Sequence, residues 1–476
     1  MPVSKRGFKI DLNSLKHHVL AICVMAVCLF ALVVAVAHGQ GTALLPPPGA
    51  KIVTLTRHRG YFNEPSVAIN PRNSRQVVVA YQTGARIAYS QDAGTHWRRG
   101  SETLPRYYAV SGDVSVAYDN LGHAFLCYIA FDKLGTDEYW AHNATRNGVF
   151  VRRSLDGGGT WQRPAVPVVK HPTKPGIPFE DKPYIVADNT HGPYAGNLYV
   201  GWTRFTLTQS VILFSRSVDD GASWSKPIRI STQAGLPRDD NGAVEGFTGV
   251  VGPDGTIYVV WADGTHVVFT SSRDGGRTFA PSSEIIPIGP PYFHISDVDR
   301  TDGFPVISID PRGGNGAGLL YVTWSDYRNG DVDVFCSTSS DRGRTWSPAV
   351  RVNSDPIHDG TDQFFQWLAV DPVTGAANLV FYDRRYDPDN RRAVVVLARS
   401  TDHGHTFHNY LWMGKAFDPN NDFIGDYTGI AAYDGRVYGV WTEERPRLSR
   451  HHSESPLHHT VVRLGIADFA RSNHTP

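Results

Sequence analysis

Beyond residue 50 the chain is written in short apolar runs cut by Gly, Pro, Asn and Asp. Residues 304–309, 320–324, 332–337 and 348–352 are four such runs in close succession. They are rich in β-branched and aromatic residues and separated by turn formers, the pattern of short antiparallel strands. The same set recurs along the chain, with first runs beginning near Glu64, Asp113, Asp181, Glu245, Asp302, Asp362 and Asp426. Four strands per unit at this spacing describe a propeller blade. The last unit lacks a fourth strand, and an orphan run at 51–55 resembles the fourth strands at 227–230 and 349–352. Placed beside the last unit, it closes the ring and removes the free sheet edges. The pattern predicts an all-β fold, a single seven-bladed β-propeller over 51–469 followed by a tail at 470–476. Six blades plus an appendage is the alternative.

One motif punctuates the units. Ser-x-Asp-x-Gly-x-x-Trp/Phe occurs around Asp92, Asp156, Asp219, Asp274, Asp341 and Asp402, roughly every 60 residues. Asp binds backbone amides a few residues on, Gly supplies a positive φ, and the aromatic residue tucks beneath the turn. Each box is read as a hairpin between the third and fourth strands. It is scaffold rather than catalyst.

The first forty residues follow another pattern. Lys5, Arg6, Lys9 and Lys16 precede an unbroken apolar run at 19–37, and Ala35-Val36-Ala37 reads as a small-x-small cleavage site. Residues 1–40 are therefore a signal peptide or a single-span membrane anchor, and 41–50 a Pro-rich spacer. Both readings put the remainder outside the cytoplasm, secreted, periplasmic or anchored. Cys127 and Cys336 are the cysteines beyond this segment, and they are read as small buried hydrophobes rather than a disulfide framework.

Composition narrows the function. Lys+Arg and Asp+Glu are both 46 in 476 residues, so there is no basic footprint for nucleic acid. Aromatics at 11% argue against disorder. The histidines at 451, 452, 458 and 459 lie in adjacent pairs whose side chains diverge in extended chain, so they are read as a polar loop.

The repeated boxes resemble the Asp-box (BNR) repeats of the sialidase superfamily, over nearly all of residues 51–469. Trp324-Ser325-Asp326-Tyr327-Arg328-Asn329-Gly330 and Tyr382-Asp383-Arg384-Arg385 are similar to phrases in secreted bacterial sialidase-like proteins. Asp boxes also occur in xyloglucanases, sorting receptors and photosystem assembly factors, so the resemblance speaks to fold before activity. It implies an exo-α-sialidase-like glycoside hydrolase with a Tyr nucleophile, a Glu partner, an Asp acid/base and three arginines on the substrate carboxylate. The family's Phe-Arg-Ile-Pro-like motif is absent here, Arg57 and Arg59 being the nearest arginines. The family enzymes also have six blades, against seven counted here.

The rim opposite the boxes carries the reactive side chains. One acid per blade at the start of strand one, with Glu180 beside Asp181, forms a ring at the channel mouth. Asp181, Glu245, Asp362, Asp426 and Tyr427 are the catalytic candidates, with Glu245 a partner for Tyr427. Glu64, Arg204, Asp302, Arg328, Arg384 and Arg385 are the substrate-binding candidates. Close carboxylates raise one another's pKa, as a general acid requires, and guanidinium groups grip an acidic sugar. Pairing of these acids and arginines across blades is the competing reading. So is a non-catalytic propeller that binds glycan or protein. No cofactor is assigned, although a ring of acids has the oxygen chemistry of a Ca²⁺ site. Trp202, Trp261, Trp324 and Trp441 end the second strands, as blade packing or as sugar platforms.

Overall fold

A computed structural model describes residues 43–57, 60–82, 84–100, 104–132, 146–172, 178–312, 318–420, 423–444 and 459–470. The predicted leader at 1–40 and the histidines at 451, 452 and 458 lie outside the described residues. Among the described residues there is no α-helix, and none long and apolar enough to cross a membrane.

Seven four-stranded antiparallel sheets make up the fold. Blade 1 opens with Asn63–Ile69, blade 2 with Val110–Tyr118, blade 3 with Phe179–Ala187 and blade 4 with Val244–Val251. Blade 5 opens with Val306–Asp310, blade 6 with Gln363–Val370 and blade 7 with Gly429–Tyr433. Blade 7 contains Arg436–Glu444 and Thr460–Asp468, and its outermost strand is Lys51–Thr54. Lys51 faces Ile466 and Thr54 faces Arg463. The ring is seven-bladed and closed by its own first strand. A separate two-stranded ladder, Tyr292–Phe293 with Thr301–Asp302, lies between blades 4 and 5.

Burial follows the place of each strand in its blade. Central strands such as Ala124–Phe131 are buried throughout. The box aromatics bridge blades: Trp346 meets Phe269 edge-on at 5.8 Å, and Phe279 meets Phe214 at 4.7 Å. Trp412 of blade 6 lies against blade 7, over the cross-strand pair Gly439 and Gly465. A Cβ at Gly465 would stand 2.4 Å from its indole and one at Gly439 2.5 Å, so that face admits only glycine. Cys127 and Cys336 are free and buried, as read from the sequence.

Each box is a closed hydrogen-bond set. At Asp402, the Ser400 hydroxyl donates at 2.7 Å, the Thr406 amide at 3.0 Å and the Thr406 hydroxyl at 2.6 Å. The Gly404 amide donates to Ser400 Oγ at 2.9 Å. The Thr345 hydroxyl, opposed by desolvation and helped by the Thr345 amide, pulls Asp341 down to about 2. A carboxylate so fully engaged is structural.

The register fixes which rim is which. Asn63, at the start of its strand, faces Gln82 at the end of the next. Ser90, leading into the box, faces Val77 at the other end. The strand-one acids and the boxes therefore occupy opposite rims.

Candidate functional site

Five blades carry a bulge where their first strand enters the channel. The register breaks between Asn63 and Ser66, Gly112 and Ser115, Asp181 and Tyr184, Glu245 and Thr248, and Phe364 and Trp367. The residue in each break has positive φ: Glu64 (48°), Asp113 (48°), Lys182 (45°), Gly246 (79°) and Phe365 (53°). Such conformations are costly for residues other than glycine and gather at functional sites. They change the predicted ring. Glu64 and Asp113 occupy the bulge itself, whereas Asp181 and Glu245 sit one residue earlier. One acid per blade at equivalent positions is thus corrected to acids staggered over two positions. In blade 6 the two positions are Phe364 and Phe365.

The staggered acids meet. Glu64 Oε1 accepts from the Asp426 amide at 3.3 Å, and Asp113 Oδ2 from the Lys182 amide at 2.9 Å. Asp181 lies within hydrogen-bond reach of Asp113. Lys182 Nζ is 2.9 Å from Asp426 and 3.9 Å from Asp302. Three further residues, none of them foreseen from the sequence, complete the group. Arg300 bonds Asp426 through Nε at 2.9 Å and Asp239 through Nη1 at 2.6 Å. The Tyr292 hydroxyl donates to Asp239 and lies 3.0 Å from Glu245 Oε2. Tyr292 and Asp302 face each other in the small ladder.

Seven carboxylates, from Glu64, Asp113, Asp181, Asp239, Glu245, Asp302 and Asp426, thus surround two cations, Lys182 and Arg300. Glu64, Asp113, Asp181, Glu245, Asp302 and Asp426 are each at most 9% exposed, while Asp239 and Arg300 form the wetter outer layer. Burial, then Asp113 and Asp426, raise Glu64 well above the ordinary carboxylate range. Burial and Asp113 do the same to Asp181, and burial and Asp239 to Glu245. Burial lifts Asp302 to about 7. Asp426 also meets a desolvation cost, but Arg300 and Lys182 outweigh it and hold the group low. The cluster therefore sets Asp302, raised to about 7, beside Asp426, held low, the division of labour that acid–base catalysis needs.

The other predicted residues stand apart. Asp362 does not join the cluster: it accepts from the Val332 amide at 3.0 Å and from Asn390 at 2.6 Å, clasping two loops. Tyr427 lines an apolar channel with Tyr184, Phe247, Phe304 and Trp367. Its hydroxyl points at the Val114 carbonyl at 3.5 Å, not at Glu245, and burial raises its pKa.

The arginines do not converge. Arg204 bonds Glu180 at 2.8 Å, Arg328 bonds Asp326 at 2.8 Å and Arg385 bonds Asp383 at 2.8 Å. Arg384 is fully buried, donating to the carbonyls of Asn390 and Ser296. The reason is a repeated triplet of indole, carboxylate and guanidinium. Trp202 Nε1 donates to Glu180, Trp324 Nε1 to Asp326 at 2.9 Å and Trp441 Nε1 to Glu443 at 2.8 Å. Arg204, Arg328 and Arg463 pair the same acids. These tryptophans, like Trp261, are at most 1% exposed, so they pack blades and offer no sugar platform. The signal was present in part: Trp324 and Asp326 share one face of their strand, and Arg328 follows two residues on in the turn.

No family model matches the chain. A sialidase from Bacteroides fragilis (strain YCH46) is 26% identical over 223 residues, 42% of this chain and 37% of that protein. The match thus spans little more than a third of the relative's length. Among solved structures, the phage phi92 endosialidase aligns with a TM-score of 0.51 at 11% identity, over 88% of this chain and 69% of that one. The Hadza microbial sialidase Hz136 aligns with a TM-score of 0.49 at 17% identity, over 84% and 75%. Fold and boxes define a closed Asp-box β-propeller. Its fold is shared with the phage phi92 endosialidase, and part of its sequence is similar to the Bacteroides sialidase.

Proposed function

We propose that the protein is a sialidase-like glycoside hydrolase whose chemistry sits at the box-free mouth of the channel, outside the cytoplasm. The observation that carries this reading is the Tyr292 hydroxyl held 3.0 Å from Glu245 Oε2. The superfamily resemblance implies a Tyr nucleophile with a Glu partner, and here that pair is Tyr292 and Glu245 rather than Tyr427 and Glu245. Tyr292 Oη attacks the anomeric carbon as Glu245 takes its proton. Asp302, facing Tyr292 and carrying a proton near neutral pH, protonates the departing oxygen. The surplus of carboxylates favours the positive charge that develops on the sugar ring.

The substrate is a glycan. Arg300 is the single arginine of the cluster among the described residues, and it is tied to Asp426 and Asp239. A carboxylated sugar would meet a strongly negative mouth. Aryl α-sialosides and neutral aryl glycosides, tested side by side, decide between the two classes. Turnover of one class, lost by roughly 100-fold or more in Tyr292→Phe, supports the assignment. No release from either class retires it. The second reading, a non-catalytic glycan- or protein-binding propeller, is favoured by the near-complete burial of the inner acids.

A further inference from the structure

The geometry points to a divalent-cation site of Ca²⁺ type formed by Asp181, Asp239 and Glu245 at the channel mouth. One oxygen from each carboxylate lies within 4.8 Å of the others. The three come from different segments: the first strand of blade 3, the connection between blades 3 and 4, and the first strand of blade 4. All three donors are carboxylate oxygens, with no thiolate or imidazole, which selects a hard cation over zinc or copper.

A second observation points to a ligand. Glu245 is 1% exposed, yet its Oε1 has no hydrogen-bond partner, while Oε2 takes the Tyr292 hydroxyl. A carboxylate oxygen stranded in a sealed site is expensive, and a cation within reach removes that cost. The charge distribution agrees. Lys182 and Arg300 both spend their closest contacts on Asp426, with Arg300 also reaching Asp239. The charged groups pressing most on Asp181 are Asp113, Asp239 and Glu245, all of them acids. The blade 3–blade 4 side of the mouth therefore holds more carboxylates than its one direct cation contact, Arg300 on Asp239, and that is where the three oxygens converge.

Two other sets carry less. Asp119, His123 and Asp220 are already closed by Arg153. Asp263, His266 and Glu284 lie on the outside of blade 4, with Glu284 58% exposed. Neither holds an unpartnered oxygen on a fully buried side chain.

The site shares Glu245 with the proposed catalytic pair, so its test reads cation binding directly rather than turnover. The full chain is stripped with chelator and titrated with Ca²⁺, reading the melting temperature, and with Tb³⁺, reading emission sensitised by nearby aromatic rings such as Tyr292. The expected result is a saturable rise in melting temperature and Tb³⁺ emission that Ca²⁺ displaces. Asp181→Asn should weaken Ca²⁺ by about 10- to 100-fold. Asp239→Asn, on the more exposed loop, should do the same should the buried variant fold poorly. Glu284→Gln at the outer set should change nothing. Absence of any Ca²⁺ or Tb³⁺ response overturns the site, and so does a response that survives both Asp substitutions. Cation binding without glycoside release would leave this site standing and retire the hydrolase, and the converse result would do the opposite.

Discussion

Asp426 shows what single side chains do in this channel. It neutralises Lys182 and Arg300 at once, and both cations would be left poorly compensated without it. Removing one partner of a buried pair costs more than the pair contributes, typically about 3 kcal/mol. Asp426→Asn should therefore lower the unfolding free energy by about that amount in urea titration. Acidity adds a second test. Burial holds Asp302 at about 7 and moves Glu64, Asp181 and Glu245 the same way. Folded Asp302 keeps a proton that the unfolded chain releases near pH 4, so its contribution is fully present below about pH 4 and is lost as pH climbs through about 7, with the other three acids acting in the same direction. In chelated buffer, melting at pH 5 should exceed melting at pH 8. The box aspartates run the other way, but their window lies below about pH 4. For catalysis the same proton on Asp302 predicts that kcat falls above about pH 7.

At the scale of the element, the boxes and the glycine face lend themselves to substitution. Asp402→Ala removes three hydrogen bonds from one hairpin far from the mouth. It should cost about 1–3 kcal/mol in denaturant and leave turnover unchanged. Gly465→Ala drives a methyl group into the Trp412 indole and should cost a similar 1–3 kcal/mol by overpacking. Much of this was legible in the chain, because boxes, strand runs and closing strand all repeat with a period. Glu64, Asp181, Glu245, Asp302 and Asp426 could be placed at the mouth for that reason. Their stagger could not, since a bulge shifts a side chain without altering the hydrophobic pattern. Tyr292, Arg300 and Asp239 lie in connections with no counterpart in other blades, so no periodicity marks them. Arg328 and Arg204 misled because a guanidinium able to hold a substrate is equally able to hold the carboxylate two residues before it or on the neighbouring strand.

For the whole molecule the closing strand is decisive. Lys51–Thr54 supplies the last hydrogen-bonded edge of blade 7, and residues 51–55 add the Leu55 amide to the Val462 carbonyl. Deleting 51–55 should expose Thr460–Asp468 as an unpaired edge, lower the melting temperature and shift elution on size exclusion toward larger species than the parent. A deletion that melts and elutes like the parent would mean that the ring holds without its seam.

That seam sets an order of events during synthesis. The Thr56 hydroxyl and the Val462 amide it meets are 406 residues apart, so the first strand must wait for some four hundred further residues before it finds its place. Until then six sheets can form while the wheel stays open at one spoke. A messenger truncated before Thr460 would deliver an open propeller with two mutually adhesive borders, ready to join with those of its neighbours.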